Sequence, residues 1–125
     1  MDDNLFEIID KRGILVICEE SQWKIHITGG HPEVEDKLEI VKNTIKEPDI
    51  IYQSEEDSKR DVYFKEFENN KYMKVIVELT SPNFGEVITA FPRKGISGNI
   101  DTEAIKYVKN KLWRQIRYIV YVDVW

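Results

Sequence analysis

One cysteine and two histidines are the only Cys or His side chains the 125-residue chain offers to a metal or to nucleophilic chemistry. Cys18 lies inside the apolar run Ile14-Leu15-Val16-Ile17-Cys18, which excludes a disulfide within the chain and predicts a buried thiol in a reducing compartment. No Cys-x₂-Cys or His-x₃-His spacing is present, so zinc would need a carboxylate set that the order of residues does not suggest, and no metal site is expected. The six glycines form neither a phosphate-binding loop nor a dinucleotide pattern, and Lys94-Gly95-Ile96-Ser97-Gly98 is too short to stand for one. No serine or threonine occupies a nucleophile elbow. No cofactor is expected. A basic-then-apolar leader and an apolar run near the roughly 20 residues of a spanning helix are both missing, so a cytoplasmic protein without membrane contact is expected.

What is present is charge, unevenly placed. The net charge is −5, but residues 1–81 carry 11 Lys/Arg against 19 Asp/Glu, whereas residues 82–117 carry 7 against 3. The basic segment holds Arg93, Lys94, Lys106, Lys109, Lys111, Arg114 and Arg117. Such asymmetry suits a local anion-binding face, and equally a helix with a solvated basic side.

Hydrophobic periodicity predicts an α+β chain. Leu5–Ile9 and Ile14–Glu19, separated by Lys11-Arg12-Gly13, read as a hairpin. Trp23 to Thr28 alternates apolar and polar and reads as a strand with His26 on its polar side. Pro32 suits a first helical position, and Val34, Leu38, Val41 and Ile45 give that helix one apolar face up to Glu47-Pro48. Strands follow at Asp49–Gln53, Asp61–Phe67, Tyr72–Leu79 and Glu86–Phe91, with turns short enough for an antiparallel meander. Asp101-Thr102-Glu103 is predicted to start a second, C-terminal helix through about Trp113, with Ile105, Val108 and Leu112 inside. For Tyr118 to Trp125 the period fits a strand and a helix alike.

Both histidines fall in Ile25-His26-Ile27-Thr28-Gly29-Gly30-His31-Pro32-Glu33. Two imidazoles close in sequence can divide the work of general base and general acid near neutral pH. Cleavage of RNA by its own 2′-hydroxyl needs little more: a base, an acid, and donors that stabilise the phosphorane, with no metal. His31, at an expected helix start, is the candidate base, and His26, with Glu33 as a neighbouring carboxylate, the candidate acid. Each also has an ordinary structural reading, as a helix cap and as a solvated strand residue.

The stretches "HITGGHPEVEDKLEIVKNTIKEPDIIYQ", "RDVYFKEF", "YMKVIVEL" and "GEVITAFPRKG" resemble the phage-associated group of the barnase, EndoU, colicin and RelE (BECR) nuclease superfamily. That group has a similar histidine, a His-Pro-Glu at a helix start, a Pro-Asp-x-Ile strand, a Tyr-bearing strand and a closing "V-I-T-A" strand. The likeness spans roughly residues 23–95, about three fifths of the chain. It implies an antiparallel sheet packed on a helix and a metal-independent endoribonuclease, of the kind often found as toxin modules held by an inhibitor or antitoxin protein. Position by position, it implies roles for His26, His31, Tyr63, Lys65 and Thr89 in catalysis and for Arg60 beside the substrate. Tyr63, Lys65 and Thr89 are expected to line one surface, with Arg93, Lys94, Lys109 and Lys111 holding RNA phosphates. A competing reading keeps the fold without catalysis, as a module whose acidic part contacts a basic protein in a phage–host conflict.

Overall fold

The computed structural model describes residues 3–96 and 100–109. Among these residues the strands are β1 (Asn4–Ile9), β2 (Leu15–Glu19), β3 (Ile50–Gln53), β4 (Arg60–Glu68), β5 (Lys71–Ser81), β6 (Phe84–Arg93) and β7 (Ile105–Val108). They form one sheet in the order β1-β2-β6-β5-β4-β3-β7, antiparallel throughout except between β2 and β6. The fold is α+β, as the periodicity predicts. The N-terminal hairpin turns where Gly13 takes φ 86°, and the Asp10 carboxylate accepts from the Arg12 and Ile14 amides to hold the turn.

Helical elements cover one face of the sheet. A π-helix, Gln22–Ile27, leads into the single turn α1 (Thr28–Gly30), then a 3₁₀ turn, Pro32–Val34, and α2 (Leu38–Lys46). Val34, Val41 and Ile45 are fully buried and pack with Trp23 and Ile27 on Val16, Ile51, Tyr63, Met73, Val75, Val77 and Ala90. Each such aliphatic side chain contributes about 1.5–3 kcal/mol through burial. A second, smaller cluster of Ile50, Val62, Phe64 and Ile100 lies on the opposite face.

The expected strand Trp23–Thr28 is helical. Trp23 and Ile27 are buried while Ile25 is 66% exposed. Positions four apart share a face in a helix and in a strand alike, so only Ile25 discriminates between the two, and it points to solvent. The single helix expected from Pro32 is two elements, because Lys37 leaves helical geometry at φ −117° and α2 begins one residue later. The apolar stripe Val34-Leu38-Val41-Ile45 nonetheless packs on the core.

The expected helix from Asp101 is a 3₁₀ turn, Thr102–Ala104, followed by β7 on β3. The four residues Ile105-Lys106-Tyr107-Val108 are mostly β-branched or aromatic and gain an unpaired edge of β3. A register irregularity opposite Ile51/Tyr52 lets Ile105 and Val108, three apart, both join the second cluster, which reproduces a helical spacing inside a strand. The rest of that expected helix, and Tyr118 to Trp125, lie outside the described residues.

A charge network closes the helix-covered side. Tyr63 donates to Asp10 Oδ2 at 2.6 Å, Arg12 bridges Asp10, Asp61 and the Tyr63 hydroxyl, and Lys106 donates to Asp61 at 2.7 Å. Both carboxylate side chains are fully buried. The hairpin turn, β4 and β7 are thereby joined through paired charges.

Candidate functional site

The strand registers divide the polar residues between the two faces. Tyr63 stands opposite Val75 and Lys65 opposite Met73, which puts both on the helix-covered side. Thr89 stands opposite Ile76, and Ile76 opposite Val62, which puts Thr89 on the other side. The three residues therefore line no common surface, contrary to expectation. The cause is a bulge: Val87 pairs with Val77 and Thr89 with Ile76, so the extra residue Ile88 turns Thr89 away from the face of Val87.

Tyr63 is fully buried, and desolvation together with Asp10 raises its phenol pKa far above the usual range. Lys65 donates to the Glu47 carbonyl at the end of α2 at 2.8 Å and lies 3.8 Å from Asp49 Oδ1. It thus caps that helix. Arg60 pairs with Glu78 at 3.4 Å and Asp57 at 3.7 Å.

His26 is exposed on the outside of the π-helix, and no hydrogen bond, ion pair or ring contact joins it to His31 among the described residues. His31 is not at the start of α2; a three-residue 3₁₀ turn follows it, and no side-chain cap is made. Too few peptide units align there to set a helix dipole against the His31 side chain. Glu33, expected to serve His26, lies instead 3.4 Å from His31 Nδ1. The His31 ring stacks on Phe91 at 4.7 Å between centroids.

Phe91 connects His31 to the other face of the sheet, open in the sense that among the described residues the only helical element against it is the 3₁₀ turn Thr102–Ala104, although Ile50, Val62 and Phe64 are buried there. Across the sheet run two rows of facing residues: Phe91, Lys74, Phe64, Ile50 and Val108, and beside it Thr89, Ile76, Val62, Tyr52 and Ile105. Lys74 Nζ lies 5.7 Å from the Phe64 ring centre and 5.5 Å from that of Phe91. Among the described residues no acceptor takes a hydrogen bond from this ammonium. Burial, with the nearby positive charge of Arg93, lowers the pKa of Lys74, against a smaller pull from Glu56. Arg93 and Lys94 are exposed at the end of β6. Lys109 is exposed after β7, its amide bonded to Asp49, and Lys111 lies outside the described residues.

Next to Lys74 the face opens into a cleft of about 390 Å³ lined by Tyr52, Val62, Ile76, Ile100 and the polar loop after β3. Another hollow, of about 410 Å³, lies between the β5–β6 turn and Ser58-Lys59, far along the strands from His31 and Lys74. Among the described residues no group of three His, Cys, Asp or Glu could hold a metal ion, and no helix is long and apolar enough to cross a membrane. Neither Lys74 nor Tyr52 stands in a chemical motif of the sequence. The available signal was Ile76, an apolar residue on the otherwise polar side of β5, which shows that this side is partly covered too.

A mostly antiparallel sheet with helices packed on one face has the BECR-like nuclease fold. The chain belongs to the phage-Barnase-EndoU-ColicinE5/D-RelE like nuclease2 family, whose model matches residues 3–120, well beyond the motifs of residues 23–95. No curated protein and no solved structure matches it.

Proposed function

We propose that the chain is an endoribonuclease that cuts RNA by attack of the 2′-oxygen on the adjacent phosphorus, with its working groups on the open face. The attack breaks the bond from phosphorus to the 5′-oxygen and leaves a 2′,3′-cyclic phosphate and a 5′-hydroxyl. His31, oriented between Glu33 and Phe91, takes the 2′-hydroxyl proton. Lys74 and Arg93 draw in the phosphate and stabilise the charge of the phosphorane, and Thr89 donates to a phosphate oxygen. Burial makes the Lys74 ammonium a readier proton donor than a solvated lysine, so it also supplies the proton to the leaving 5′-oxygen. Tyr63, Lys65 and Arg60 are assigned to the scaffold, and His26 to the solvated surface. Lys94, Lys109 and Lys111 are assigned to phosphates further along the RNA.

The observation that carries this reading is the half-buried Lys74 ammonium, held between two rings beside Arg93 and without an acceptor among the described residues. Its sense is that of a phage-associated enzyme acting on cytoplasmic RNA as a toxin, and an inhibitor protein would be its natural partner. The charge of residues 1–81 favours a second reading, a non-catalytic module for a basic protein. Incubation of wild type and His31→Ala with total RNA in EDTA separates the two. Cleavage by wild type that is lost in the variant supports the enzyme, and cleavage by neither supports the module.

A further inference from the structure

The cleft beside Lys74 has a composition that a phosphate site does not explain. Its floor is apolar, from Val62, Ile76 and Ile100, with the Tyr52 ring along one wall. Its rim carries Glu55, Glu56 and Asp101, which repel a phosphate. Three polar side chains line it with no hydrogen-bond partner among the described residues: the Tyr52 hydroxyl, the Gln53 amide and the Lys74 ammonium. Among the described residues Glu55 and Glu56 form no ion pair either. The Tyr52 ring lies 6.1 Å from Phe64 and nearly parallel to it, which fixes its plane. An apolar floor, a fixed aromatic wall and a few converging polar groups describe a site for a small planar ligand, and the volume is within the range of such pockets.

We infer that this cleft is a nucleobase subsite that selects a base bearing an exocyclic amino group, with the adjoining phosphate directed outward to Lys74 and Arg93. The base ring lies against Tyr52 over Val62 and Ile76. Its amino group donates to the carboxylates of Glu55 or Glu56, which a ring offering a carbonyl oxygen in that place cannot do. This assignment rests on the nuclease reading for its biological sense, but the ligand chemistry stands apart from cleavage.

The test is titration of the ¹⁵N-labelled chain with uncharged adenosine, cytidine, guanosine and uridine, followed by NMR. Shifts at Tyr52, Gln53 and Ile76 are expected with at least one of the three amino-bearing nucleosides at concentrations where uridine gives none. The Glu55→Gln/Glu56→Gln variant should weaken that binding about tenfold, the value of one charge-assisted hydrogen bond. Its spectrum reports directly that it is folded, and His31→Ala should bind as wild type does. Equal response to uridine, response elsewhere on the surface, or no response to any nucleoside would overturn the assignment. Nucleoside binding without RNA cleavage would remove the nuclease reading alone, and cleavage without nucleoside binding would remove the base subsite alone.

Discussion

The two faces of the sheet use the same residue types in opposite ways. On the covered face Tyr63, Arg12 and Lys106 find Asp10 and Asp61, and each charge has a partner. On the open face Tyr52 and Lys74 have no such partners among the described residues, although both are half-buried. A fully paired network joins elements but offers nothing to a ligand. A half-buried cation without an acceptor adds little to folding and is ready for an anion. Chemistry is therefore sought where pairing is incomplete, and residue type alone is a poor guide to it.

The largest effect on stability is expected at the paired face. Asp61→Ala leaves Arg12 and Lys106 without their shared carboxylate and should cost about 3–5 kcal/mol, read from the urea midpoint. Lys74→Ala, measured in the same way, should change stability by less than about 1 kcal/mol. If the two lose stability equally, the contrast between the faces is wrong.

Packing ranks next. At Gly85 an added Cβ would lie 2.6 Å from Val77 Cγ1 and 3.2 Å from the Glu78 carbonyl, so Gly85→Ala should cost about 1–3 kcal/mol. Gly85 pairs with Leu79, upstream of the bulge at Ile88 that places Thr89 on the open face, so a strand shift that accommodates the new Cβ should lower RNA cleavage more than the loss of stability alone accounts for. Tyr63→Phe removes only the hydroxyl that serves Asp10 and should cost about 1.5–3 kcal/mol without a specific effect on turnover of the folded enzyme.

The smallest effect at neutral pH concerns Cys18, whose thiol burial pushes up to about 12. The folded chain keeps this proton after the unfolded chain has lost it. The stabilisation is thus complete below about pH 9 and is lost as pH rises towards about 12. Alkaline denaturation of Cys18→Ala should accordingly show a shallower fall over that window than wild type.

Much of the scaffold was legible because its determinants are local. The hairpin at Gly13, the stripe Val34-Leu38-Val41-Ile45 and the alternation of Met73, Val75 and Val77 can each be read within a few residues, and each packs as expected. The failures have a shared cause in relations between distant segments. Trp23 and Ile27 fit two periods, Ile105 and Val108 mimic a helix through a register irregularity, and Thr89 changes face through one extra residue at Ile88. The site suffered most, since grouping Tyr63, Lys65 and Thr89 required a register that no single strand encodes. His31 was legible as a residue of interest, but its partners Phe91 and Glu33 and its separation from His26 were not.

The central claim is that Lys74 on the open face, which has no acceptor among the described residues, rather than the capped Lys65 on the covered face, works on the RNA. Turnover at saturating RNA in EDTA, compared for wild type, Lys74→Ala, Lys74→Arg and Lys65→Ala, tests it most directly. Lys74→Ala should lose about 10²–10³ in turnover, the cost of one transition-state donor. Lys74→Arg should keep RNA affinity but not the rate, because a guanidinium holds its proton. Lys65→Ala should keep turnover within about threefold once corrected for the folded fraction, its loss being the cap of α2. A collapse of turnover in Lys65→Ala with Lys74→Ala near wild type would contradict the account and return catalysis to the covered face.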